Sequence, residues 1–126
     1  MSDGAKLFVA MGAFLAALAV VLGAFGAHAF RARLPSDMLQ VYQTAVQYHF
    51  WHALGVLAVG LALQQAPDAA WLRTAGWLLA GGIVLFCGSL YLLAITGDKW
   101  LGAVTPLGGV AFILGWLALA VAALRA

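Results

Sequence analysis

The chain has 126 residues, of which 66% are hydrophobic and 8% charged, with a net charge of +2. Soluble domains carry about 25% charged residues, and four carboxylates are too few to cover a water-facing surface, so an ordinary soluble globule is excluded. No basic stripe is present, which excludes a nucleic-acid footprint, and the lone Cys87 excludes an intrachain disulfide and any cysteine-based zinc or redox pair.

A bilayer core about 30 Å thick needs roughly 20 apolar residues per crossing helix. The first such run covers residues 7–27. It follows a short basic start, "MSDGAK", and ends near "AHA", which has the small-x-small form of a signal-peptidase site. Secretory h-regions are about 7–15 residues long, so this run is read as a retained span rather than a cleaved leader.

The segment "LPSDMLQVYQTAVQY" differs from the runs around it. Met38, Val41, Tyr42, Ala45 and His49 follow the 3–4 spacing of one helix face, and Gln40, Gln43 and Gln47 form a second stripe. This pattern predicts an amphipathic helix lying in the interface, bending or running into the second span.

The second span is expected at 45–63. With the helix continuous from about Met38, the residues Tyr42, Ala45, His49, His52 and Val56 share one stripe. His28 closes the first span, and the chain then turns, so His28, Arg31 and Arg33 belong on the same membrane side as His49 and His52. "QQAPD", with Pro67, is the next turn. The third span is expected at 71–96, where Cys87 packs as a small apolar group and Ser89 bonds back to a helix carbonyl. Gly97 in "TGDK" suits the helix C-terminus. The fourth span is expected at 105–124, with Thr105 as N-cap and Pro106 at the first helical position. The alternative is a longer helix from near Trp100, kinked at Pro106.

Lipid tails are as apolar as leucine, so helices associate through small residues that allow close approach. Gly12, Ala16, Ala19, Gly23 and Gly26 form such a stripe in the first span, and Gly108, Ala111, Gly115, Ala118 and Ala122 form one in the fourth. Gly81 and Gly88 repeat seven apart in the third. The stripes predict tight seams, either within the chain or in a homo-oligomer. Lys6, Arg73 and Arg125 fall on one side and Arg31, Arg33 and Lys99 on the other, so the positive-inside rule assigns no orientation.

Three chemistries compete for the histidines. They can tie helices together. They can help hold a polar head, either a lipid phosphate or a quinone carbonyl, with Arg31, Arg33, Tyr42, Gln43 and Gln47. They can bind haem or metal, although the step from His49 to His52 lacks the carboxylate partners that usually accompany a three-residue spacing. A small channel would need a polar path, for which Ser89, Thr96 and Thr105 are the other candidates. Proton-coupled carriers of the small four-helix type place carboxylates inside the membrane. Here Asp3, Asp37, Asp68 and Asp98 all fall at ends or turns. No catalytic residues, metal site or cofactor are assigned.

The stretches "GAFGAHAF", "YQTAVQYHFWHAL", "GGIVLFCGSLYLLAITG" and "LGAVTPLGGVAFILGW" resemble the YgdD-like family of small membrane proteins, a family of unknown function with bacterial inner-membrane members and small eukaryotic relatives. The resemblance extends from the first span to the fourth. It implies four helices in the bacterial inner membrane and supplies no activity, substrate or cofactor. The family pattern has histidine at the positions of His28 and His52, and often Gln or Met at the position of His49.

The resulting expectation is an all-α integral membrane four-helix bundle forming one domain. Its predicted role is non-enzymatic binding or support, centred on His28, His49, His52, Arg31, Arg33, Tyr42, Gln43 and Gln47. The histidine pair is expected to anchor the amphipathic segment and the second helix to the end of the first. Membrane lipid is the expected partner.

Overall fold

A computed structural model describes all 126 residues. It contains four helices long and apolar enough to cross a membrane: α1 (Asp3–Ala29), α2 (Ser36–Gln65), α3 (Ala70–Thr96) and α4 (Lys99–Arg125). No strand is present.

Each boundary has a local cause. The Ser2 side chain accepts a bond from the Ala5 amide at 3.2 Å, capping α1. Pro35 precedes α2, and the Leu39 amide donates to its carbonyl. Pro67 interrupts the chain after α2, and its carbonyl accepts from Arg73 at 2.8 Å. Gly97 ends α3 at φ 75°, a left-handed conformation that glycine adopts without steric cost.

Three local expectations change or sharpen. Of the two forms expected for the amphipathic segment, the continuous one is present: it is the opening of α2, which runs unbroken for 30 residues. Neither glycine nor proline occurs between Met38 and Leu54 to break it. Thr105 is not an N-cap. Residues Lys99–Ala103 form a 3₁₀ turn, and Val104 leads directly into the helix Thr105–Arg125. The Val104 and Leu107 amides already bond within these turns, while the Thr105 hydroxyl lies 2.6 Å from that of Ser89. Pro106 keeps its position in the first helical turn.

The third change lies in α3, where Ile83–Cys87 forms a π-helical segment between α-helical Ala70–Gly82 and Gly88–Thr96. The bulge brings the Phe86 backbone against Gly108 of α4, where an added Cβ would meet the Phe86 amide nitrogen. Ser89 Oγ donates to the Phe86 carbonyl at 2.9 Å, as its expected back-bond.

Tight seams form where glycine meets backbone. A Cβ on Gly12 of α1 would stand 2.5 Å from the Leu57 amide of α2, and one on Gly60 of α2 would stand 2.5 Å from the Val9 amide of α1. Gly115 of α4 packs on Leu79, and Gly82 of α3 on Phe112. Gly81 and Gly88 meet nothing within 4 Å, so the seven-residue repeat in α3 is not a seam within the chain. The pairing glycine is Gly82, one position along.

Helix α2 is central. It packs along α1 and α3 and meets α4 through Gly55 against Trp116 and His52 against Phe112. The outward faces are as apolar as the core. Phe14 is 76% exposed, Val84 69% and Ile113 60%. Such an outside is stable only when the surrounding solvent is lipid.

Candidate functional site

Tyr42 fixes the end of the α1–α2 pair nearest the first turn. Its buried hydroxyl donates to the Leu22 carbonyl of α1 at 2.5 Å. Its ring lies so close to Gly26 that a methyl group there would overlap it. Phe30 and Tyr91 flank the ring, with centroids at 5.2 and 5.4 Å. Tyr42, and not the histidine pair, therefore anchors α2 to the end of α1.

Beside Tyr42 lies a cavity of about 370 Å³, lined by both helices and the turn between them. Gly23, Gly26 and His28 line it from α1, Arg31 from the turn, and Tyr42, Gln43, Val46 and Gln47 from α2. No carboxylate lines it. His28, Arg31, Gln43 and Gln47 are exposed at its rim. Guanidinium and amide N–H groups thus converge on a half-open cavity that Tyr42 closes from within. That set recognises an acceptor-rich or anionic head.

His49, His52 and Arg33 do not line this cavity. Both histidines are buried on the α2 face expected from their spacing, but they point to different neighbours. His49 Nδ1 lies 2.8 Å from the Tyr91 hydroxyl of α3. His52 Nδ1 lies 2.7 Å from the Tyr48 carbonyl, a contact that requires Nδ1–H as the donor. The His52 ring stacks on Phe112 of α4 at 3.6 Å, 15° from parallel. The two histidines therefore bind α2 to α3 and α4, away from His28. No three His, Cys, Asp or Glu side chains converge as metal ligands would.

His49 Nε2 is buried without a hydrogen-bond partner. In the His49–Tyr91 pair one proton lies between the two groups, and a second N–H or O–H is left over. The channel candidates are also engaged: Ser89 and Thr105 bond one another, and the Thr96 hydroxyl donates to the Leu92 carbonyl at 2.7 Å.

Sequence reading found the histidines, Arg31, Tyr42 and the glutamine stripe, and missed the roles of Tyr91, Gly23 and Gly26 beside them. Tyr91 lies 42 positions from His49, and nothing local in "SLYLLA" marks it. Gly23 and Gly26 were visible only as members of a seam.

Fold and site together define a multi-pass integral membrane protein with a polar cleft at one end of a helix pair. Residues 22–109 match the model of the family described as "Protein of unknown function (DUF423)". The UPF0382 membrane protein YwdK of Bacillus subtilis is 51% identical over 120 residues, which cover 95% of this chain and 98% of that one. The UPF0382 membrane protein SERP0230 of Staphylococcus epidermidis is 45% identical, over 95% of this chain and 97% of its own. The chain belongs to this uncharacterised family of membrane proteins. No solved structure matches it.

Proposed function

We propose a non-enzymatic role in which the α1–α2 cleft holds the polar head of a small membrane component, a lipid or a quinone. One observation carries the reading: a 370 Å³ cavity where Arg31, His28, Gln43 and Gln47 converge without a carboxylate. Such a cavity leaves its donors to solvent or to a ligand. Of the other polar groups, His49, Ser89 and Thr105 bond across helices, while His52 bonds within α2 and stacks on Phe112 of α4; they serve as support.

The reading makes one domain of the four helices, with the cleft facing the leaflet on the Arg31 side. Self-association through the α1 and α4 glycines is no part of it, because Gly12, Gly108 and Gly115 already face neighbours within the chain. The likeness to YgdD-like proteins adds no activity. No group of three His, Cys, Asp or Glu side chains converges, so no specific observation favours a metal site over the cleft.

Native mass spectrometry of gently solubilised protein tests the proposal. A bound molecule of defined mass is expected on the wild type, depleted when Gln43 and Gln47 are both replaced by leucine. Wild-type protein free of any bound small molecule would end this reading.

A further inference from the structure

The polar cavity does not end at Val46. A second cavity of about 300 Å³ adjoins it, sharing Gly23, Val46 and Gln47 and continuing over Ala19, Val20, Phe50 and Trp51. From Ala29, the last residue of α1 and next to the turn that carries Arg31, back to Ala19 the helix spans 10 positions, about 15 Å at helical rise. A single leaflet of the hydrocarbon core is about 15 Å deep. Head pocket and groove thus form one continuous path of roughly leaflet depth, polar at the rim and apolar below.

Charge separates the two classes of head left open above. A quinone head is neutral and offers only carbonyl acceptors, which the Gln43 and Gln47 amides satisfy without a cation. A phosphate diester carries a full negative charge and accepts the forked N–H pair of a guanidinium. Arg31 enters the cavity from the turn, and none of the lining residues is acidic. A cation without a facing carboxylate suits an anion. The groove that follows suits an acyl chain attached to that anion.

We propose that the cleft binds a phosphate-bearing membrane lipid, with its phosphate at Arg31 and one acyl chain laid along Val20, Phe50 and Trp51. This rests on the head-group reading above and names its occupant.

The test uses the full-length chain in detergent micelles, with retained probes counted by native mass spectrometry. The probes are phosphatidylglycerol, a diacylglycerol of the same chains, a short-tailed quinone and glycerol phosphate. Phosphatidylglycerol is expected to be retained about tenfold over the diacylglycerol and over glycerol phosphate. Arg31→Gln is expected to lower its retention about tenfold. Arg33→Gln makes the same charge change in the same exposed turn, outside the cavity, and is expected to leave retention within about twofold.

Equal loss in the two variants would reduce the effect to surface charge and overturn the proposal. Equal retention of glycerol phosphate would point to a free-phosphate site and overturn it too. Preferential quinone retention, indifferent to Arg31→Gln, would overturn the phosphate assignment and leave the head-group reading standing. Retention of none of the probes by the wild type would remove both.

Discussion

The α1–α2 pair is built in two ways along its length. Near the N-terminus of α1, Gly12 and Gly60 each press against the backbone of the opposite helix. Near its C-terminus, Gly23 and Gly26 belong to the same small-residue stripe, but there they line a cavity. The difference is in what faces the glycines. Gly12 faces Ala53 and the Leu57 backbone, whereas Gly26 faces the Tyr42 ring and Gly23 faces Val46 at 3.1 Å. A small residue permits close approach only where the partner presents backbone. Opposite a large ring it becomes the wall of a pocket.

The largest effect is expected at the tight end. Gly12→Leu would drive a side chain into the Leu57 backbone, which has no rotamer to yield, and is expected to cost about 3 kcal/mol or more. Steric-trap unfolding in micelles measures this. Tolerance within about 0.5 kcal/mol would mean that the helices do not touch there.

The polar pair His49–Tyr91 comes next. Tyr91→Phe leaves a buried imidazole without its partner and is expected to cost about 1–3 kcal/mol, as is His49→Leu. Removing both polar groups leaves nothing unsatisfied, so the double variant should cost less than the sum of the singles. Strict additivity in the cycle would contradict the bond. Tyr42→Phe, which frees the Leu22 carbonyl from its cross-helix donor, is expected to cost about 0.6–1.7 kcal/mol. That loss should appear as faster opening of the cleft end while the Gly12 end stays protected, read by hydrogen exchange.

The smallest effect has the opposite sign. Gly81 and Gly88 border open space within α3. Replacing each with alanine is expected to stabilise the helix by about 0.5–1 kcal/mol. Destabilisation at either position would restore the seven-residue seam read from the sequence.

These contrasts mark how far the sequence could be read. Four spans were legible because lipid demands long apolar runs, and Pro67 and Gly97 punctuate them. The buried face of α2 was legible because its period of 3.6 sorts Tyr42, His49 and His52 from Gln43 and Gln47. Which neighbour each buried group meets was not legible. Between His49 and His52 a three-residue step rotates the side chain enough to change its partner from Tyr91 to Phe112. The π segment at Ile83–Cys87, where Phe86 meets Gly108, was hidden as well, because "IVLFC" has no breaker residue.

The most direct test of the cleft is photocrosslinking in native membranes. A benzophenone amino acid replaces Gln47, within the cavity, or Ile113, on the open face of α4. The account predicts lipid adducts at position 47 enriched in one head-group class over the bulk membrane, and adducts of bulk composition at position 113. The same adduct composition at both positions would contradict it.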